Sequence, residues 1–259
     1  MSSSLPATVN LSINEFARHG SLHGNAMDGW GAAFYQGKDV FLIREASPAA
    51  DSNCIRVIRR NKVASCRVIA HIRRATQGPV CLANTQPFAR ELGGRMHVFV
   101  HNGDLMAIRT HTDFPLGRFL PIGDTDSEYA FCALLQRMEA LWLDSSVTPS
   151  IQTRLSVFQD FSIKAHELGP ANFIYSDSDA LFLHSHKRRS NGGWGVGLHV
   201  LSRSCLALPE RKNRGGVNLH LTDEEQHVFL AASVPLSDES WIPMHTGECI
   251  AVRGGNVVA

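Results

Sequence analysis

The stretch GDTDSEYAFCALLQRMEALW, residues 123–142, carries the clearest helix signal in the chain. Thr125 and Glu128 stand at capping-box spacing, and Phe131, Leu134, Leu135, Met138 and Leu141 recur at helical intervals, which predicts an amphipathic helix with one buried face. A second helix is expected over about 150–168, with Leu155, Phe158 and Leu168 inward and Gly169 as its stop. What surrounds this pair decides the fold class. Upstream, AAFY (32–35) and DVFLIRE (39–45) read as a hairpin across Gln36-Gly37-Lys38, and RVIAHI (67–72) and HVFVH (97–101) read as further strands. Downstream, ANFIYS (171–176), ALFLHSH (180–186), GLHVLS (197–202), VNLHL (217–221) and HVFLAAS (227–233) are strand-like, and CIAVRGGNVV (249–258) closes as a hairpin about Gly254-Gly255. Two helices between two strand-rich regions predict an α+β fold, not alternating α/β. A short first helix is expected from the capping spacing of Ser12 and Glu15, ending at Gly20.

Composition narrows the function. A chain of 259 residues with 44% hydrophobic and 19% charged residues, and no low-complexity segment, fits one domain over residues 1–259. A net charge of +1 gives no electrostatic footprint for nucleic acid or an anionic membrane, and the densest basic run, Lys187-Arg188-Arg189, reads as a solvated loop. No apolar stretch is long enough to span a bilayer and no signal peptide opens the chain, so the expected location is the cytoplasm. The six cysteines are scattered and read as reduced thiols. There is no Walker loop, nucleophile elbow or HExxH, and the glycines of GGWGVG (192–197) do not fit dinucleotide spacing, so no cofactor is expected. His184 and His186 share a face of a strand, but with no third ligand in view they read as ordinary histidines and no metal is expected.

Three short segments carry the chemistry. HVFVHNGDL (97–105) is a strand that ends in Asn102-Gly103, which suits an oxyanion: a side-chain amide and a freely approachable backbone N–H meet at one point. The bland alternative is an Asn-Gly hairpin turn. Arg73 and Arg74 are neighbours at the end of a strand, so one faces each side, and one of them can clamp a carboxylate. Asp126 is either a first-turn acid that complements the helix dipole or a counter-charge for an ammonium group. Together they describe a pocket for an α-amino acid with a side-chain amide.

With these residues in view, the chain resembles the class II glutamine amidotransferases, in particular their stand-alone bacterial branch. The matching segments are MDGWGAAFY (27–35), IAHIRRAT (69–76), NTQPF (84–88), HNGDL (101–105) and GDTDSEYAFC (123–132), with looser agreement at ASVPLSDESW (232–241) and GECIAVRGG (247–255). The resemblance implies an N-terminal nucleophile hydrolase fold, a four-layer αββα sandwich of two antiparallel sheets. It implies hydrolysis of the glutamine side-chain amide to glutamate and ammonia, with the ammonia passing to an acceptor; no synthase domain is attached, so either a separate partner would supply it or the enzyme is a simple amidase. Carried over by position, Arg73 would bind the α-carboxylate with support from Thr76, Asn102 and Gly103 would form the oxyanion hole, and Asp126 would hold the α-amine. Gln86 and Gln77 depart from the family, which has histidine at the first position in many relatives and at the second in sugar-amidating ones.

The larger departure is at the start. The family's nucleophile is a cysteine directly after the initiator methionine, its own α-amine serving as base, whereas this chain begins MSSSLPATVN. Laying Met1 on the family's first residue makes Ser2 the nucleophile. Laying MSSSLP on a segment slightly inside the relatives puts the cysteine about six residues before Met1, and this alignment is the better match. No internal cysteine can replace it, because thiol and free α-amine must belong to one residue. The expectation is therefore an amidotransferase family member whose pocket is present and whose nucleophile is not; the alternatives are a non-catalytic amino-acid-binding relative, or an amidohydrolase that uses Ser2 on a γ-glutamyl compound.

Overall fold

The computed structural model describes residues 1–9, 28–49, 52–144, 146–190, 193–205, 217–219 and 225–259. Along the chain the first half forms β1 (Ser2–Val9), β2 (Gly29–Gln36), β3 (Asp39–Glu45), α1 (Asn53–Asn61), β4 (Ala64–Arg73), β5 (Phe88–Leu92), β6 (Arg95–Gly103) and α2 (Asp126–Met138). Then come α3 (Ile151–His166), β7 (Ala171–Ser176), β8 (Leu181–His184), β9 (Lys187–Ser190), β10 (Gly193–Val196), β11 (His199–Cys205) and β12 (Val217–Leu219). The last elements are β13 (Gln226–Ala232), β14 (Ile242–Pro243), β15 (Cys249–Arg253) and β16 (Asn256–Val257). The helix expected from Ser12 and Glu15 lies outside the described residues.

Two large antiparallel sheets result, beside a two-stranded ribbon of β9 and β10. One runs β14-β11-β13-β1-β4-β2-β3 with β12 also on β1; the other runs β16-β15-β8-β7-β6-β5. Alternation along the strands sends their apolar residues to opposite faces. Ile69 of β4 and Val98 and Val100 of β6 meet between the sheets. Val68 and its neighbours Ala70 and Ile72 turn to the other side, against Ile55 and Ile58 of α1. Phe99 of β6 faces α2 and α3, where it stacks on Phe131 at 5.4 Å between ring centroids. The order is thus helix, sheet, sheet, helix: the α+β class that the strand and helix pattern predicts, in the sandwich that the family resemblance implies.

The caps explain where the helices begin. Ser150 accepts from the Thr153 N–H at the start of α3, and Thr125 Oγ1 accepts from the Glu128 N–H at the start of α2, 3.2 Å. The second half of the expected capping box does not form. Glu128 instead pairs with Arg90 at 2.6 Å and accepts from the Ile122 and Gly123 N–H groups, because a buried carboxylate gains more from a cation and two amides than from one capping bond. Helix α1 has no counterpart in the sequence-based expectations. Its local signals are the N-cap Ser52, which accepts from the Ile55 N–H at 3.2 Å, and the spacing that buries Ile55 and Ile58 while Arg56 and Arg60 face outward.

Candidate functional site

Arg73 closes β4, and the alternation that sends Ile69 between the sheets sends His71 and Arg73 the same way. Arg73 is 4% exposed, whereas Arg74, just past the strand, lies in solvent. Nη2 of Arg73 donates to the carbonyls of Gln77 (2.9 Å) and Gly78 (3.2 Å), so the loop after β4 wraps its own arginine. Nη1 is buried and has no hydrogen-bond partner, and neither has Nδ1 of His71. Burial holds the His71 ring neutral, with its pKa down at about 4.

The loop is fixed from several sides. Asp28 accepts from the Ala75 N–H at 2.7 Å and donates its own N–H to the Arg73 carbonyl at 3.0 Å. The Gln77 side chain donates to Asp104. The NTQPF segment supplies the rest, as fully buried clamps. Asn84 donates to the Pro79 carbonyl and accepts from the Asp124 N–H, which ties the arginine loop to the entry of α2. Gln86, at a position where many relatives have histidine, brackets the His101 backbone with both ends of its amide, at 2.7 and 3.1 Å. It therefore holds β6 in place. Gly31 is what lets this segment lie so close: a Cβ there would stand 2.5 Å from the Gln86 carbonyl oxygen.

On the facing sheet, Asn102 and Gly103 are not a hairpin turn. They are the last residues of β6, paired with Asn172 and Ala171 of β7. Since Val98 and Val100 point between the sheets, so does Asn102, toward the layer that receives Arg73. Gly103 is obligatory, because a Cβ would collide with the Pro170 carbonyl oxygen. Asp126 is buried at the first turn of α2 and accepts from the Leu105 N–H at 2.7 Å, so it pins the chain just after Gly103 to the helix start. Ser127 reaches its second oxygen only at 3.3 Å, which leaves the carboxylate with acceptor capacity to spare. Thr76 is exposed on the arginine loop.

His101, which no expectation assigned, organises this side. A carbonyl can only accept, so the contact of Nε2 with Pro170 O (3.1 Å) places the proton there, and Nδ1 faces Ser127 Oγ at 2.9 Å. Burial lowers its pKa despite the Asp126 carboxylate nearby, so the ring is a neutral strut between β6, α2 and the β7 approach. Its only sequence signal is its place before Asn102-Gly103. Asn172 is a second unassigned residue: its amide donates to the carbonyls of Asn102 (2.8 Å) and Lys187 (2.9 Å).

At the chain start, the Met1 ammonium donates to the Val68 carbonyl at 2.9 Å, and burial lowers its pKa to about 5. Ser2 pairs with Arg67, six positions along β4 from Arg73, or roughly 20 Å at strand rise. The Ser2 hydroxyl is buried and accepts from the Gly255 N–H. Although β8 ends at His184, the His184 and His186 rings do lie on one side, both stacked against that of His166; among the described residues no three His, Cys, Asp or Glu side chains are grouped to hold a metal. No described helix is long and apolar enough to cross a membrane.

Known proteins resemble this chain over most of its length. The chain is 38% identical over 180 residues to Escherichia coli YafJ, whose name assigns it provisionally to the glutamine amidotransferases, with 68% of each protein covered. It is 30% identical over 253 residues to the uncharacterized protein MJ1515 of Methanocaldococcus jannaschii, covering 96% of this chain and 67% of that one. A 2.0 Å crystal structure of a glutamine amidotransferase assigned by prediction, from Pseudomonas aeruginosa PA01, superposes with a TM-score of 0.70 at 31% identity, covering 100% of this chain and 97% of the other. The glutamine phosphoribosylpyrophosphate amidotransferase of B. subtilis shares the fold alone, with a TM-score of 0.55 at 13% identity over 95% of this chain and 45% of its own. The family model for glutamine amidotransferases of class II matches residues 1–259, and the chain belongs to that family.

Proposed function

We propose that the site binds glutamine, or a γ-glutamyl compound, and that the protein's reaction is hydrolysis of the side-chain amide: glutamine and water give glutamate and ammonia. The observation that carries this reading is the buried Arg73 guanidinium, whose Nη1 has no partner in its own chain while Nη2 is fully engaged. A buried cation donor left open in this way is matched by a carboxylate. Asp126, with acceptor capacity to spare, suits the α-ammonium, and Asn102 with Gly103 suits the oxygen that becomes negative when the amide carbon turns tetrahedral. Thr76 borders the carboxylate end on the arginine loop. The ammonia released here is either passed to an acceptor or set free as the product of a simple amidase.

The attacking group in this reading is the family's N-terminal cysteine, and the strand register is compatible with a position upstream of Met1. Continuing the Ser2–Arg67 pairing, the position opposite Arg73 falls five residues before Met1, close to the six expected from the sequence. Ser2, roughly 20 Å away along β4, is far outside the roughly 3–3.5 Å needed for attack. The test is ammonia release from glutamine by three proteins: the 259-residue chain, the chain extended upstream to a Met-Cys start, and the extended chain with that cysteine changed to alanine. Activity is expected only in the second, once its methionine is removed. Activity in the 259-residue chain that Ser2→Ala abolishes would transfer the role to Ser2; an inactive extended chain with a free N-terminal cysteine would favour a non-catalytic amino-acid-binding protein.

A further inference from the structure

The segment that leads from α3 into β7 lies along the end of β6 and is joined to it at every step. The Met106 N–H donates to the Leu168 carbonyl at 3.2 Å and the Asp104 N–H to the Pro170 carbonyl at 3.0 Å. Gly103 pairs with Ala171, and the Asn172 amide donates to the Asn102 carbonyl at 2.8 Å. The fit leaves no room for side chains on either backbone. A Cβ at Gly103 would collide with the Pro170 carbonyl oxygen, and one at Gly169 with that of Asp104. Where residues 168–172 go, Asn102 and Gly103 must follow.

Consecutive carbonyls of this segment are each held by an imidazole. His186 Nδ1 meets the Gly169 carbonyl at 3.2 Å, His101 Nε2 the Pro170 carbonyl at 3.1 Å and His184 Nδ1 the Ala171 carbonyl at 2.7 Å. Because a carbonyl only accepts, each facing nitrogen carries the proton. His186 is tied in a second time, since its backbone N–H donates to Asn172 Oδ1 at 2.8 Å. The rings themselves form one row. Their centroids are 5.0 Å apart from His101 to Phe173, 5.7 Å from Phe173 to His184, 5.7 Å from His184 to His166 and 4.8 Å from His166 to His186. Burial holds His184 neutral, with its pKa down at about 4, and its Nε2 has no partner, so the ring's polar contribution is the one bond to Ala171.

We propose that His184 and His186 are positioning residues for amide hydrolysis: through the backbone of residues 169–172 they fix Asn102 and Gly103 where the oxyanion forms. The inference rests on the amidotransferase reading above for what Asn102 and Gly103 do, and on the hydrogen bonds for how they are held. It divides the pocket in two. Arg73 and Asp126, which suit the amino-acid end, belong to β4 and α2. Loss of either histidine therefore acts on the reacting amide and spares recognition of the amino acid.

The experiment replaces each histidine by leucine, which removes the donor, and by asparagine, whose amide N–H can stand in for Nδ1–H. His186 is half-buried, so its variants give the answer even if those of the fully buried His184 fail to fold. In the leucine variants of the 259-residue protein, amide hydrogen exchange at Asp104 and Met106 is expected to rise about tenfold, while Ala180, bonded to Asp177 in the β7–β8 turn, keeps its protection. In the chain extended to a free N-terminal cysteine, kcat is expected to fall about tenfold with KM unchanged, and to recover in the asparagine variants. Exchange that rises equally at Ala180, or asparagine variants that behave like leucine ones, overturns the proposal. So does an unchanged kcat in an active extended chain. If the exchange pattern appears while the extended chain is inactive before any histidine is replaced, the amide-hydrolysis reading fails and the hold of His184 and His186 on β6 stands.

Discussion

Two arginines, Arg73 and Arg154, are buried almost equally, at 4% and 1% exposure, and differ in how far their own chain satisfies them. Arg154 on α3 is saturated. Its Nη1 meets Asp177 at 2.5 Å, its Nη2 meets Asp179 at 2.8 Å and its Nε donates to the Ser150 carbonyl at 3.3 Å. Asp177 is satisfied in turn by the Asp179 and Ala180 N–H groups. Arg73 has one nitrogen bound to two carbonyls of a loop and another bound to nothing. The first arrangement fastens the helix layer to the β7–β8 turn. The second, in this reading, is completed by a ligand. Burial alone does not separate a structural cation from a binding one; in this reading the donor left over on Arg73 is the one a ligand would use.

The contrast makes sharp demands on mutants. Arg154→Ala should cost about 3–5 kcal/mol of stability, because it leaves Asp177 buried without its cation. A denaturation midpoint close to wild type would show that the network is ornamental and would remove the contrast. Arg73→Ala should do the reverse: it should change stability little, but weaken glutamate binding by about 2–5 kcal/mol in calorimetry, as a desolvated carboxylate loses its charged partner. Equal losses of stability from both substitutions would make Arg73 structural as well.

A pH series separates the two regions more finely. His97, at the structural end, uses both ring nitrogens, toward Tyr175 Oη at 2.6 Å and the Leu92 carbonyl at 3.0 Å, and its pKa is lowered to about 4 chiefly by burial. His71, at the site end, is lowered to a similar value with Nδ1 unpartnered. Both are buried neutral, so the unfolded chain binds protons that the folded chain refuses. Stability should hold above about pH 6.5 and fall as pH drops toward 4, each group contributing at most about 1.4 kcal/mol per pH unit. Chemical denaturation at several pH values checks this, and a flat profile across that window would contradict it. Bound glutamate should alter the His71 signal in an NMR titration and leave that of His97 alone. The smallest effect belongs to Arg74→Ala, where an exposed side chain should change stability and glutamate affinity by less than about 0.5 kcal/mol. An effect as large as that of Arg73→Ala would mean that β4 presents the wrong face to the pocket.

Much of the molecule was legible before folding. The start of α2 at Thr125, the end of α3 before Gly169 and the β2–β3 hairpin follow from local signals that the structure retains. Helix α1 is amphipathic in sequence, with Ile55 and Ile58 on its buried face and Arg56 and Arg60 exposed, but nine residues are a short window for such a period, and the surface it packs on, Trp30, Phe34 and Val68, is assembled only in the folded sheet. The Glu128 half of the capping box failed for the same kind of reason, as Arg90 and the Ile122–Gly123 backbone compete for its carboxylate.

The sequence by itself determined the α+β class, the neighbouring arginines that must face opposite ways, and the Asn-Gly pair at a strand end, because each depends on residues within a few positions of one another. Only the tertiary structure decided which polar atoms remain without partners, that Asn172 joins Asn102 to the basic hairpin, and that Ser2 stands at Arg67 and not at Arg73. Those outcomes are set by the register between strands remote in sequence, where a slip of one residue turns every side chain to the opposite face, and no local pattern encodes that register.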